Sequence, residues 1–265
     1  MAKKLEYKDL LAAGVHFGHL KRKWNPKMAP YIFMEKNGIH LIDINKTLAA
    51  LDEASKALKG IVRSNKKILF VATKKQAREI VEQVAKRTGM PYVTERWLGG
   101  MLTNFSTIRK SIKKLNSLEK LMKSESYENL TKRERLMMQR KKEKMEKVLG
   151  GILEMNRLPG ALFIVDIRRE HIALAEAKRL GIPVFAMVDT DSDPTSVDYP
   201  IPANDDAYKS IDLIVNYIGD IIEEAQQERK QEKEAQKLQA EENKKRAMDE
   251  GADVENAPES HDEEE

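Results

Sequence analysis

Apolar positions change their spacing several times along this chain of 265 residues, and each change marks an element. A short helix is expected from Tyr7 to Ala13. The stretch GVHFGHLKRKWNPKMAPYI that follows contains Gly14, Gly18, Pro26 and Pro30, which argue for an irregular segment. In YIFMEKNGIHLIDI two apolar runs flank Asn37-Gly38, the signal of a β-hairpin. Asn45 to Val62 is helix-periodic, with Leu48, Leu51, Leu58 and Ile61 on one side. KILFVATKKQ reads as a buried strand running into a helix from Lys75 to Arg87, and Met90 to Thr94 as a short strand. The same grammar returns after residue 158. ALFIVD is a strand, Arg169 to Leu180 a helix closed by Gly181, and PVFAMVD a strand. A loop rich in Asp and Pro over 189–206 precedes a last helix, which starts near Asp206 and passes Ile222. Continuous apolar strands alternating with amphipathic helices predict a parallel sheet covered on both faces.

Between the two halves the pattern differs. Ser106 to Leu121 and Lys132 to Leu149 are long, charged and helical. Ile108, Ile112, Leu115, Leu118 and Met122 step by 4, 3, 3 and 4, as in a coiled-coil seam. Met138, Met145 and Ile152 form a poorer stripe on the second stretch, and ESYENLT joins the two. This predicts an inserted helical hairpin. The expected organisation is a first part of an α/β domain over 1–102 with a basic N-terminal loop, the hairpin over 103–155, the second part of the domain over 156–225, and a charged, largely disordered acidic tail over 226–265. Residues after Gln226 are rich in Glu, Gln, Lys and Ala and could first extend the last helix; GADVENAPESHDEEE has nothing to pack.

Composition sharpens this reading. Charged residues make up 34% of the chain, too many for a core alone. The absence of cysteine excludes disulfides and thiolate-bound metals. The N-terminus lacks an apolar core segment, so no secretory signal is expected, and no apolar run is long enough for a membrane span; a cytoplasmic protein is expected. The net charge of +4 conceals a division, for the first 150 residues carry +19 and the last 115 carry −15. Charge alone leaves two explanations open, a polyanionic partner or an unevenly solvated surface.

Catalytic signals are sparse. A nucleotide-binding enzyme with this sheet would want a glycine-rich turn, so that backbone N–H groups can approach phosphates, and neither GxGxxG nor GxxxxGK[ST] occurs. His16 and His19 could form a metal pair. Asp189, Asp191, Asp193, Asp205 and Asp206 could hold a hard cation, although helix capping and solvation are the default reading of such a cluster. A metal-dependent enzyme using these aspartates is the alternative from another class, and an RNA-binding adaptor acting away from any large assembly is a third.

Three basic segments favour nucleic acid. KRKWNPK supplies Lys21, Arg22, Lys23, Trp24, Asn25 and Lys27. RWLGGMLTNF places Arg96 and Trp97 before Gly99-Gly100, then Thr103 and Asn104 at a helix start. A cation, a stacking face and backbone donors therefore occur within ten residues. Trp97 and Leu98 would also suit a core. The hairpin adds Arg109, Lys110, Lys113 and Lys114, then Arg133, Arg140, Lys141 and Lys144. Lys74 and Lys75 stand at a strand's carboxyl end, where this kind of sheet presents ligand-binding groups.

The segments GVHFGH, WNPKM, KILFVATKKQA, RWLGGMLTNF, LPGALFIVD, GIPVFAMVDTDSDP and IPANDDA resemble, in this order, the bacterial small-subunit ribosomal protein family called S two, from about residue 5 to 225. The resemblance implies a flavodoxin-like α/β domain with an inserted α-helical coiled-coil hairpin. It implies a non-enzymatic protein of the ribosome that binds small-subunit ribosomal RNA and helps recruit the large, acidic first protein of the small subunit. No cofactor is implied as required. A divalent ion, magnesium or zinc, is associated with some members, which points to His16, Asp189, Asp205 and Asp206 as ligands. The tail after 226 departs from the commoner shorter form.

Overall fold

The computed structural model describes residues 5–124, 127 and 129–255. Its centre is a five-stranded, wholly parallel sheet. The strands are β4 (Ile68–Val71), β5 (Tyr92–Val93), β6 (Ala161–Val165), β7 (Val184–Val188) and β8 (Tyr199–Pro202). Their spatial order is β5-β4-β6-β7-β8. Counted from the first parallel strand this is the doubly wound order of flavodoxin-like sheets, which reverses between the first and third strands. The reversal here lies between β4 and β6, paired in register from Ile68↔Ala161 to Val71↔Ile164.

Alternation along the strands builds two cores. Ile68, Phe70, Phe163, Phe185 and Met187 face α1 (Tyr7–Ala12), α2 (Ile44–Arg63), α3 (Lys75–Thr88) and α7 (Tyr208–Glu255). Leu69, Val71, Leu162, Ile164 and Ala186 face α6 (His171–Arg179) and the root of α4 (Phe105–Met122) and α5 (Lys132–Leu149). The strands are buried at every position from Ile68 to Val71 and from Ala161 to Val165, which explains their unbroken apolar runs.

The hairpin is rooted in the second core through Ile108, Ile112 and Leu149. Burial fades outward: Leu115 is enclosed, Leu118 and Met122 only half so. A Thr131–Glu134 capping box starts α5. Of the expected connecting loop, residues 125, 126 and 128 lie outside the described residues.

Three expectations need correction. The segment after Gly14 contains a strand, β1 (Phe17–Leu20), which joins β2 (Ile32–Lys36) and β3 (Ile39–Ile42) in an antiparallel sheet ordered β1-β3-β2. Gly18 allows it, because a Cβ there would stand 2.5 Å from the Thr190 side chain. The Asp/Pro-rich loop contains β8, which pairs only with β7; an edge position tolerates Pro200 and Pro202. The tail, expected to be largely disordered from 226, continues α7 to Glu255, in keeping with its Glu-, Lys-, Gln- and Ala-rich composition. Residues 256–265, the end of the expected disorder, lie outside the described residues. The Asn37-Gly38 hairpin turn is present, with both residues at positive φ (54° and 74°).

Candidate RNA-binding surface and strand-end ion cluster

The carboxyl ends of β4, β6, β7 and β8 deliver polar side chains to the point where strand order reverses. In doubly wound sheets this crevice normally receives a ligand. Here the chain's own side chains occupy it. Lys74 Nζ lies 2.7 Å from Asp205 Oδ1, 2.5 Å from Asp206 Oδ1 and 3.4 Å from Asp166 Oδ2. Burial alone would lower the lysine's pKa; the three carboxylates outweigh it and raise it. Burial, with the Asp189 and Asp166 carboxylates, pushes Asp205 well above the usual carboxylate range, against the pull of Lys74. Asp166 takes a positive φ of 68° and caps the turn into α6 by accepting from Arg169 N at 3.0 Å. Behind it, buried Glu170 accepts from Thr73 N at 2.9 Å and Thr73 Oγ1 at 2.5 Å, and burial raises its pKa.

His19 closes the cluster's other side. Its Nδ1 is 3.1 Å from Asp189 Oδ2 and its Nε2 3.2 Å from Asp206 Oδ2. The Asp189 hydrogen bond, partly opposed by burial and helped by the charges of Asp189, Asp191 and Asp205, raises its pKa to about 9. A histidine raised from 6.5 in the folded state contributes stability fully below pH 6.5 and loses it as pH rises through about 9. Thermal melts should therefore show the wild-type melting temperature falling between those values. His19→Gln should be less stable at pH 6 and should lack that fall. A slope unchanged by the substitution would assign it to another group.

The same cluster anchors the basic N-terminal loop. Thr190 Oγ1 accepts from His19 N at 2.8 Å, and Thr190 O accepts from Asn25 N at 2.8 Å. Asn204 N donates to Val15 O at 3.0 Å, and Lys27 Nζ pairs with Asp193 at 2.7 Å.

The second organised feature is a carboxylate cradle. Glu176, on the buried side of α6, accepts from the Trp97 indole (3.0 Å) and from the backbone N–H groups of Gly100 (2.7 Å), Leu102 (2.8 Å) and Thr103 (3.0 Å), and also from Thr103 Oγ1 (3.2 Å). Burial would raise this carboxyl, but the converging donors outweigh it and hold it below the usual range. The cradle fixes the turn that launches α4.

Comparison with known proteins decides which family this architecture serves. The family model described as Ribosomal protein S2 matches residues 10–225. The chain belongs to the ribosomal protein S2 family. A small ribosomal subunit protein uS2 from Cytophaga hutchinsonii is 69% identical over 249 residues, covering 94% of this chain and 98% of the relative. Those of Porphyromonas gingivalis and Chlorobaculum tepidum are 60% and 55% identical over 230 and 257 residues. The first pairing covers 87% of this chain and 82% of the relative, the second 97% and 99%. Ribosomal protein S2 is a structural protein of the small ribosomal subunit and not an enzyme. Among the described residues no helix is long and apolar enough to cross a membrane.

Within this S2 chain the predicted basic residues separate into committed and open groups. Lys74 is a correction: it is buried in the ion cluster and offers no charge to a phosphate. Trp97 is another, since its ring is buried and its N–H taken by Glu176. The N–H groups of Gly100 and Thr103, expected to meet phosphate or sugar, are likewise spent on Glu176. Trp24 is half-buried against His40, ring centroids 5.0 Å apart. Asn25 caps a short 3₁₀ turn by accepting from Lys27 N at 3.0 Å, and Lys21 pairs with Glu35 at 2.7 Å. Gly99 and Asn104 are exposed at the turn. Arg22, Lys23, Lys75 and Arg96 are exposed, with no ion pair among the described residues. So are Arg109, Lys110, Lys113 and Lys114 on α4 and Arg133, Arg140, Lys141 and Lys144 on α5.

The expected metal ligands are also redistributed. His16 lies against Phe17, ring centroids 4.0 Å apart, burial lowers its pKa, and it does not join the aspartates; His19 does. Among the described residues no three His, Asp or Glu side chains are disposed to hold a metal ion. Lys74 and His19 supply the positive charge between Asp189, Asp205 and Asp206. As arranged, with Lys74 and His19 between the carboxylates, these residues do not fit a divalent ion.

Sequence reasoning missed Glu176 and underrated His19. A signal for Glu176 existed: an acidic residue on the apolar stripe Ala173, Leu174, Ala177, facing a glycine turn rich in donors.

Proposed function

We propose that this chain binds small-subunit ribosomal RNA through the cations of the α4–α5 hairpin, supported by Arg22, Lys23 and Arg96. The observation that carries this reading is the exposure of eight of the hairpin's cations, Arg109, Lys110, Lys113, Lys114, Arg133, Arg140, Lys141 and Lys144, with no ion pair among the described residues, on helices whose root is fixed in the core. Counterions released from RNA phosphates would supply the affinity, which would therefore depend on salt. The two helices act as one coiled-coil arm; the burial of Ile108, Ile112 and Leu115 and the 3.5 Å pair between Lys142 and Glu119 support this. Recruitment of the large acidic first protein of the small subunit is part of the same reading and rests on family resemblance. The setting is the cytoplasmic ribosome.

The test is charge reversal at Arg140, Lys141 and Lys144 to Glu. Sedimentation of lysates should show less of the variant travelling with small subunits, and its affinity deficit should be largest at low salt and narrow as salt is raised, because the wild type has more phosphate contacts to lose. With purified RNA, each lost contact should reduce the slope of log affinity against log salt by about 0.9 for helical RNA treated like duplex DNA. Equal incorporation at every salt concentration would remove the hairpin from the RNA interface.

A further inference from the structure

The ion cluster, the loop 14–28 and the cradle all lie at the carboxyl ends of the strands. The opposite end of the sheet carries a feature that none of these explains. There, before β4, β5 and β6 begin, a cavity of about 590 Å³ opens between the end of α3 and residues 150–158. It lies within the range of about 300–1,000 Å³ typical of ligand sites. Met90, Pro91, Tyr92, Leu153 and Leu158 give it apolar walls, and Leu158 is 44% exposed. A second hollow of about 410 Å³ adjoins it, sharing Asn65, Lys66, Lys67, Gly89 and Met90 and continuing along α7.

The rim is basic. Lys66 and Arg157 border the first hollow, and Arg229, Lys230 and Lys233 the second. None of the five has an ion pair among the described residues. Several neighbouring acids are engaged elsewhere: Glu82 with Lys86, Glu224 with Lys59, Glu228 with Arg63, and Asp220 and Glu223 with Arg87; Glu232 and Glu234 stand beside Lys230 and Lys233 on the same helix and reduce the net charge of that edge. Glu154 is the one acid in either lining. The carboxyl end of α3 would repel an anion, but Lys67 Nζ caps it at Gly89 O, 2.6 Å away.

We propose that this trough is a binding site for single-stranded RNA, with a base in the apolar hollow and phosphates along the basic rim. It rests on the reading that the chain binds RNA, but uses a surface at the far end of the sheet from the loop 14–28. A nucleotide joins a flat apolar group to a phosphate, matching a hollow that is apolar within and cationic at its edge. Acidic peptides carry charge without the flat group, so RNA is the better fit.

The test titrates the full-length chain with a labelled oligouridylate over a range of salt concentrations. Two variants, Lys66→Glu with Arg157→Glu and Lys230→Glu with Lys233→Glu, alter exposed rim positions. Each should weaken binding on the order of ten-fold and lower the log–log salt slope by about 1.4, two contacts at 0.7 each for a single strand. An oligomer carrying 4-thiouridine should cross-link to the peptide containing Tyr92. Wild-type affinity and slope in both variants would overturn the proposal. So would cross-links confined to the hairpin, or a trough that binds labelled polyglutamate in a rim-dependent way while RNA binding ignores the rim. The Arg140, Lys141, Lys144 variant is titrated in parallel. If it alone loses affinity, the trough fails and the hairpin reading stands; if the wild type binds no RNA, both fail.

Discussion

Glu176→Ala should destabilise the chain by about 4 kcal/mol, because it leaves several buried donors without an acceptor. The carboxylate gathers the Trp97 indole and three backbone N–H groups from a single turn. With the carboxylate gone, Leu102 N remains buried and water cannot readily replace the lost bond. Urea unfolding measures the loss directly. Hydrogen exchange should localise it, with the Leu102 and Thr103 amides exchanging much faster than those of β6. Glu176→Gln should fall between the two, since one end of its amide would present donors to donors. Acid should act in the same sense. The depressed carboxyl contributes stability above its unfolded value of about 4.5, and that contribution disappears as pH falls through the lower folded value. An alanine variant within about 1 kcal/mol of wild type would show that the turn holds itself and that Glu176 merely decorates it. Since Asn104 precedes α4 directly, a loosened turn should, on the proposed reading of the hairpin as an RNA-binding arm, also weaken RNA binding with every hairpin cation intact.

How much was legible follows from the range over which each feature is decided. Strands β4, β6 and β7 could be read because both their faces are buried, so their own residues announce them. The Asn37-Gly38 turn could be read because two adjacent positive φ angles demand those residue types. Strand β8 could not, because proline argues against a strand unless the neighbour on one side is missing, and edge position is a property of the whole sheet. Strand β1 was hidden similarly: Gly18 looks like a loop residue until Thr190, far along the chain, is seen filling the space of its Cβ. Among the candidate site residues, the sequence displayed charges but not their partners. Lys74 and Lys75 look equivalent in a strand-end run, yet one faces Asp205, 131 positions away, and the other faces solvent. His16 and His19 are three residues apart and only the second turns toward the aspartates. On the hairpin, most cations keep no ion pair among the described residues, so there the sequence and the structure display the same open charges.

Lys74→Met should destabilise the chain by about 3–5 kcal/mol, through the carboxylates it abandons and not through lost packing. Methionine retains most of the apolar stem, so the substitution isolates the ammonium. Asp206 is exposed and Asp166 half-buried, so water can reach both; Asp205 is 1% exposed and cannot be solvated in place. The loss should therefore be carried largely by Asp205, and Asp205→Asn in the same chain should restore a good part of it. A double-mutant cycle should give a coupling of about 2 kcal/mol. pH provides an independent check. Without Lys74, the Asp205 carboxyl, already raised by burial and by Asp189 and Asp166, has lost its principal counter-charge and rises further. A carboxyl whose folded pKa lies above its unfolded value binds more protons in the native state, so stability falls as pH rises through that interval. The variant's deficit should thus be smallest in mild acid and grow toward neutrality, and Asp205→Asn should flatten the slope. A deficit independent of pH and unrelieved by Asp205→Asn would mean that Lys74 acts through the β8 end in some other way. The observed outcome also bears on the fold's use in the ribosome. If one buried cation holds the crevice shut, this doubly wound sheet has replaced its ligand with a lysine, and its binding surfaces must lie elsewhere on the molecule.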